Sequence, residues 1–323
     1  VDEVTIRGAD SDCTIDAGMH NGAWRGEVTG SQLNLNALMV FWDAARAFRQ
    51  PSRQDAPAME TAAPAPAQTA ARDFSGNVEV NLDEVIFRRG VIKNLRSNVV
   101  FSPDSVKLDG LAMQSYEGRI TGGADVTLPR NAQPGAARIR LNLDETDLRL
   151  LDETLFEEPR NVRGIANGRV DVTFPLGTEA PPYAGLNGLV TFTATDGSYG
   201  KLGVATKLLS ALRATEMLRL RLPTLRDKGL VYTTSEGRFP MENGELTVEE
   251  FTLKSKSYAI DATGTADFAE DTLDVAVRVN LFESVTGLVE KVPLVGNAVS
   301  AVKGAASVNV RLGGSPFAPE VKT

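Results

Sequence analysis

Histidine and cysteine are almost absent from this chain of 323 residues, which contains only His20 and Cys13. A single cysteine excludes a disulfide within the chain and a cysteine-rich zinc site, and a single histidine excludes a multi-histidine metal centre. His20 lies in the turn-like stretch AGMHNGAW, which favours a surface position. Cys13 lies in the alternating stretch DCTID without an activating cation, which favours a small buried side chain over a nucleophile. We therefore expect no metal and no cofactor.

The motifs of the common enzyme classes are also missing. The chain has no GxxxxGK[ST] phosphate loop, no GxGxxG after a strand, no GxSxG elbow and no HExxH. Carboxylates are frequent in DLRLLDETLFEEP, where Asp147, Asp152, Glu153, Glu157 and Glu158 are interpreted as the solvated face of a short helix. Hydrolysis by paired carboxylates is the alternative that this stretch leaves open. The prediction is a protein that is not an enzyme.

Positive charge and long apolar runs are scarce as well. The formal net charge is -8 and no cluster of lysine and arginine is present, so a nucleic-acid partner is not expected. No run of 18 or more uncharged apolar residues occurs, and the best candidate, 281–302, contains charges and Pro293. The chain starts in the strand-like run VDEVTIRG without a signal peptide, so we expect it to be a fragment of a longer protein.

Composition divides the chain into four regions. Residues 1–50 are predicted to form strands and a helix, 51–72 an Ala/Pro-rich flexible linker, 73–184 a β repeat region and 185–323 a C-terminal β region with helical insertions. The helices expected within these regions have apolar faces that suit packing on a sheet, with a membrane-surface position as the alternative. They are predicted at about 38–48, 202–220 and 281–302.

Alternation of apolar and polar residues with a period of two dominates from residue 74 onward. It is clearest in LDVAVRVNL, YAIDATGTADF, RIRLNL, RVDVTF and SVNVRL. Such strands have one dry and one wet face, which is typical of an antiparallel sheet. The turn-like stretches MENGEL, AEDT and SPDS predict hairpins between them, so the chain is expected to build one long sheet as a meander.

An internal repeat supports a repetitive β scaffold. SYEGRITGGAD at 115–125 and SYAIDATGTAD at 257–267 both fit S-Y-x5-G-x-A-D. Each follows an alternating segment and precedes a strand, so the same hairpin is expected twice.

The order of elements in the C-terminal half resembles the AsmA-like family of Gram-negative envelope proteins. The resemblance rests on TATDGSYGKLGVATKLLSAL, then GRFPMENGELTVEEFTLKSKSYAIDATGTADFAEDTLDVAVRV, VPLVGNAV and the final ASVNVRLGGSPFAPEV. The ending G-x-x-x-x-P-x-V, with Gly314, Pro319 and Val321, is typical of this family. The match is good over 185–323. Over 74–184 the chain shares the general strand pattern of the family and not its specific motifs.

The resemblance implies a mainly β fold, a long curled antiparallel sheet that forms an open, β-taco-like groove. It implies a periplasmic protein, tethered to the inner membrane by an N-terminal segment absent from this chain. Its function would be to move phospholipid between the inner and outer membranes, with acyl chains as ligand and envelope assembly proteins as further partners. The alternative is a structural or partner-binding module whose apolar face is packed internally and which uses an exposed edge strand.

Under the groove hypothesis the inward-facing residues of the alternating strands would contact the acyl chains. These candidate lining residues are Ile139, Leu141, Val170, Val172, Ile260, Ala262, Ala266, Phe268, Leu273, Val275, Val277, Val279, Val308, Val310 and Leu312.

Overall fold

Sixteen strands belong to one sheet in the part of the chain that the computed structural model describes. That part comprises residues 2–8, 11–20, 23–36, 74–115, 118–130, 133–200, 229–282 and 306–322. The strands are β1 (Asp2–Gly8), β2 (Ser11–His20), β3 (Ala23–Asn34), β4 (Gly76–Phe87), β5 (Gly90–Ser102), β6 (Ser105–Ser115), β7 (Gly118–Thr127), β8 (Gly135–Asp147), β9 (Val162–Leu176), β10 (Asn187–Tyr199), β11 (Leu230–Glu242), β12 (Glu245–Lys254), β13 (Tyr258–Asp267), β14 (Thr272–Leu281), β15 (Ala306–Gly314) and β16 (Pro319–Lys322). The prediction of a mainly β protein is confirmed.

Every strand pairs with the next strand in the chain, from β1 to β16, so the sheet is an open meander. All pairs are antiparallel except β3–β4, which are parallel. Parallel neighbours require a long crossover that returns the chain to the starting side of the sheet. The predicted helix at 38–48 and linker at 51–72 fall between these two strands and lie outside the described residues. The predicted helices at 202–220 and 281–302 also fall there, apart from Leu281 and Phe282.

Strand β14 shows why the alternating stretches become half-buried strands. Its buried positions are Leu273, Val275, Val277, Val279 and Leu281, and the residues between them are exposed or half-buried. Successive side chains of a strand point to opposite faces, so this spacing places all five on one face. The neighbouring ladder with β13 holds the same register over ten residue pairs, which fixes that face.

The predicted hairpin turns are present. Asn243 and Gly244 of MENGEL connect β11 to β12 with φ of 52° and 86°, the left-handed conformation that both central residues of a type I′ turn adopt. AEDT lies between β13 and β14, and SPDS between β5 and β6. Tight turns at these points keep consecutive strands adjacent.

The two copies of the internal repeat lie on corresponding strands, each with a glycine at the same position. The first copy starts at Ser115, the last residue of β6, and continues along β7, and the second starts at Ser257, just before β13, and continues along β13. The glycine shared by both copies, Gly122 or Gly264, has φ of 157° or 147° and faces a register shift in the preceding strand. A Cβ at Gly264 would lie 2.1 Å from the Asp274 carbonyl oxygen, and one at Gly122 would lie 1.9 Å from that of Arg140. The repeat therefore marks a bend that only glycine accommodates.

The strands begin and end along two opposite sides of the sheet. We call these two sides the helix edge and the turn edge. The helix edge contains the ends of β8, β10, β12 and β14, at Asp147, Tyr199, Lys254 and Leu281. The turn edge contains the opposite ends, among them Leu176 and Glu242. Within the described part of the chain, the connection from β8 to β9 at the helix edge contains the α-helix α1 (Leu148–Leu155). The turn edge from β5 onward has connections of ten residues or fewer, the longest being 177–186.

Helix α1 corrects the interpretation of the acidic stretch. Asp147 caps the helix by accepting a hydrogen bond from the Arg149 backbone N–H at 2.8 Å, as predicted for a short helix here. Asp152, however, is 4% exposed and accepts the backbone N–H groups of Arg160 (2.9 Å) and Val162 (3.2 Å). The prediction of a solvated Asp152 was wrong, because its carboxylate supplies the acceptors at the start of β9.

The helix lies over the sheet at the helix edge. Leu150 is 2% exposed, and a Cβ at Gly90 of β5 would lie 3.2 Å from the Leu150 Cδ1 atom. Leu148 packs against the buried cluster formed by β9 to β15. A second buried cluster, around Cys13, Leu82 and Val85, lies on β2 and β4. The core is thus distributed along one face of the sheet.

Candidate functional site: the apolar face of the sheet

One face of the sheet is apolar and the other is charged, and we call them the inner and the outer face. The inner face is the one that contains Leu141, Val170 and Val277, and the outer face contains Arg138 and Asp171. The two assignments follow from the ladder registers, because residues directly opposite in neighbouring strands point to the same side.

Fourteen of the predicted lining residues lie in the ladder on the inner face. Direct pairs join Ile139 to Val172, Leu141 to Val170, Ile260 to Val279, Ala262 to Val277, Ala266 to Leu273, Val275 to Leu312, Val277 to Val310 and Val279 to Val308. Phe268 lies just beyond the end of β13, and its ring contacts Tyr183 and Phe317 at the turn edge. That these residues contact lipid stays a prediction.

A continuous apolar row crosses thirteen strands of the inner face, from β2 to β14. Each member is directly opposite the next: Ala17, Gly26, Val78, Val99, Leu108, Ala124, Ile139, Val172, Gly188, Met241, Leu246, Ala266 and Leu273. No polar side chain interrupts it. The first eleven members are half-buried and the last two are buried, so most of the row is accessible from the inner side.

The neighbouring row on the outer face runs from β3 to β10 and is polar except at Val100. It contains Arg25, Asn77, Val100, Lys107, Asp125, Arg138, Thr173 and Asn187. Arg138 binds Asp171 through two hydrogen bonds of 2.9 and 3.0 Å, and these lower the pKa of the Asp171 carboxyl. Exposed ion pairs of this kind add little to the stability of the fold. Their main effect is to keep the outer face polar and hydrated.

The inner face is more deeply buried near the helix edge. A second row there contains Ala166, Ala194, Ser235, Leu253, Ile260, Val279 and Val308. Val279 is 1% exposed, and Ala194, Ser235 and Leu253 are each 0% exposed. The accessible and the closed parts of the face therefore differ in position, the accessible part being closer to the turn edge.

Three tyrosines end the inner face at the helix edge. The hydroxyl of Tyr199 donates to the Ser235 Oγ at 3.1 Å, and those of Tyr232 and Tyr258 donate to the carbonyl oxygens of Arg163 and Val231, each at 2.7 Å. Burial raises the pKa of all three hydroxyls, that of Tyr258 to about 12. At neutral pH these groups are uncharged and have hydrogen-bond partners, so the closed part of the face carries no charge from them.

Aromatic rings cover the middle of the inner face between the two rows. Phe192 stacks on Phe239 with ring centroids 5.9 Å apart, and Phe239 lies 6.5 Å from Phe251. The first two rings lie over Gly237, where a Cβ would come within 2.8 Å of both. Rings in contact with a glycine keep this part of the surface apolar.

Among the described residues, those with catalytic or metal-binding chemistry are not gathered on this face. Cys13 is 2% exposed and burial raises the pKa of its thiol, which disfavours the thiolate. His20 is exposed at the end of β2, as the sequence predicts. Within the residues that the structure describes, no three histidine, cysteine or carboxylate side chains are grouped as metal ligands. The same residues contain no helix of the length and hydropathy needed to cross a membrane.

The N-terminal half of the apolar row, in particular Val78, Val99 and Leu108, was not predicted from the sequence. The alternation is present there, but register shifts within β5–β6 and β6–β7 change which residue numbers point inward. Leu108 and Leu111, for example, both face inward on β6 although they are three residues apart. A glycine beside a change in alternation, as in KLDGLAM, is the signal that could have revealed these bulges.

Residues 2–320 match the family model of the YhdP protein. Neither the curated proteins nor the solved structures gave a match. The family match covers nearly the whole chain, including every strand of the apolar row. The chain therefore belongs to the YhdP family, a family related to the AsmA-like envelope proteins that its C-terminal half resembles.

Proposed function

We propose that this chain binds phospholipid acyl chains along the apolar row and guides them between the inner and outer membranes across the periplasm. The observation that carries the proposal is the row itself: thirteen neighbouring strands contribute an apolar residue to one line, opposite a charged face. Membership of the YhdP family, which is an envelope family, is consistent with this role. The role requires no catalytic residue, so we propose a protein that is not an enzyme.

The energetics suit movement as well as binding. Each methylene group removed from water contributes about 0.8 kcal/mol, so an acyl chain is held by many small contributions. Strands are spaced about 4.8 Å apart, so thirteen of them extend the row over roughly 58 Å. An acyl chain that shifts by one strand exchanges one aliphatic contact for another. The binding free energy therefore changes little along the row.

The buried row near the helix edge favours a second function. Its residues at β13–β15 are already packed, as expected for a structural or partner-binding module without lipid. Both functions can be assigned to different parts of the face, the accessible row taking lipid and the buried row maintaining the fold. They are distinguished by whether the purified protein contains phospholipid.

The test is mass spectrometry of an organic extract of the purified chain, with native mass spectrometry before and after delipidation. Val99 points inward from the apolar row, and Val100 is its outward neighbour, 39% exposed. Val99→Arg should reduce bound phospholipid several-fold because it places a charge on the path of the acyl chain. Val100→Arg is the matched control and should leave bound phospholipid unchanged. A wild-type protein that is folded and free of lipid would contradict the proposal.

A further inference from the structure

Three aromatic rings form an exposed cluster at the turn edge, in the C-terminal half of the sheet. Tyr183, Phe268 and Phe317 have ring centroids 5.4 to 6.3 Å apart. Tyr183 is 43% exposed and Phe317 is 63% exposed, the highest value among the large apolar side chains of the described residues. Exposed rings cost free energy in water, so a cluster of them requires an explanation other than stability.

The cluster is held together by contacts between connections that are distant in sequence. The turn at 243–244 binds the 177–186 connection, since the Gly244 N–H donates to the Leu186 carbonyl at 2.9 Å. The Gly244 carbonyl in turn accepts the N–H of Phe268 at 3.0 Å. Ser315, in the connection that contains Phe317, donates its hydroxyl to Asp271 at 2.6 Å. The rings are therefore presented by a hydrogen-bonded framework.

The connections that hold and brace the cluster contain charged side chains of one sign. The connections 177–186, 242–245, 267–272 and 313–320 contain seven carboxylates and no lysine or arginine. Asp267 and Asp271 are used within the turns as hydrogen-bond acceptors. The other five, which have exposed side chains, are Glu179, Glu242, Glu245, Glu270 and Glu320. We call these rings and carboxylates the acidic aromatic patch.

We propose that the acidic aromatic patch binds a protein segment in which lysine or arginine lies next to an apolar side chain. A cation can contact both the ring faces and the surrounding carboxylates, while the apolar neighbour covers Phe317. An anionic lipid surface is disfavoured because it would face five carboxylates. A second copy of the same patch is disfavoured for the same reason, since it would place like charges opposite each other. This inference is independent of the lipid proposal.

The test uses fluorescence anisotropy with two labelled peptides, one of arginine, lysine and leucine and one in which glutamate replaces the basic residues. The first should bind the full chain and the second should not. Phe317→Ser and Tyr183→Ser should each weaken binding about tenfold, the loss expected of a central aromatic anchor. Glu270→Gln combined with Glu320→Gln should weaken binding and reduce its dependence on salt.

Two controls locate the binding. Phe74 is an exposed ring in another aromatic group of the same edge, stacked at 5.0 Å on Phe101, and Phe74→Ser should leave the affinity unchanged. Val99→Arg should also leave it unchanged, which excludes binding of the peptide to the apolar row. The inference is overturned if Phe317→Ser binds the basic peptide like the wild type. It is also overturned if Phe317→Ser abolishes binding to phosphatidylglycerol vesicles while peptide binding is absent, which would indicate a membrane contact.

Discussion

At the scale of single residues, Asp152 shows how an ordinary acidic residue can be structural. Its carboxylate is buried under α1 and accepts two backbone N–H groups at the start of β9. In the sequence it is indistinguishable from Glu157 and Glu158, which are exposed beyond the end of the helix. The difference arises from tertiary structure, because the chain after α1 folds back over Asp152.

We predict that Asp152→Ala lowers the free energy of unfolding by about 1–3 kcal/mol, because it leaves two partly buried backbone donors without their acceptor. Glu158→Ala, which removes an exposed carboxylate from the same stretch, should change it by no more than about 0.5 kcal/mol. Urea denaturation followed by circular dichroism measures both values. Equal midpoints for the two variants would show that the Asp152 hydrogen bonds contribute nothing.

At the scale of elements, the C-terminal strands could be predicted from sequence and the N-terminal face could not. In β13 and β14 the alternation runs without interruption, so residue numbers alone assign Ile260 and Val277 to the correct face. In β5 and β6 the bulges change the assignment, and the period-two pattern no longer identifies the inward residues. The parallel β3–β4 pair was also missed, because pairing direction across a long connection leaves no local signal.

The same principle explains what was predicted of the site. Hydrophobic alternation places fourteen of the fifteen predicted residues in the inner-face ladder, but it says nothing about their accessibility. Val279 is 1% exposed whereas Ile139 is half-buried, although both lie in alternating strands. Burial depends on which parts of the chain cover each strand, and that is a property of the whole fold.

The repeated glycine bend leads to a prediction at this scale. Gly264→Ala should destabilise the protein by roughly 1–3 kcal/mol, because a Cβ would lie 2.1 Å from a carbonyl oxygen of β14 and φ is 147°. Gly110 also has a positive φ, 62°, but a Cβ there meets no atom within 4 Å. Gly110→Ala should therefore cost about 1 kcal/mol or less. Thermal denaturation compares the two, and a Gly264→Ala variant as stable as Gly110→Ala would refute the steric explanation.

At the scale of the whole molecule, the sheet separates buried from accessible apolar surface by position. The buried row near the helix edge stabilises the fold, and the apolar row nearer the turn edge stays accessible from β2 to β12. The outer face is charged and the acidic aromatic patch lies at the turn edge of the C-terminal half. An open sheet permits this arrangement because an apolar surface can extend from strand to strand without being enclosed.

The most direct test of the lipid hypothesis is photo-cross-linking in living cells. A photoreactive phenylalanine analogue placed at Leu108 would project from the apolar row, and one placed at Lys107 would project from the outer face one residue away. We predict that the Leu108 site cross-links phospholipid several-fold more efficiently than the Lys107 site, as measured by mass spectrometry of the purified adduct. Equal cross-linking at the two sites, or none at Leu108 in a folded protein, would contradict the claim that the apolar row carries acyl chains.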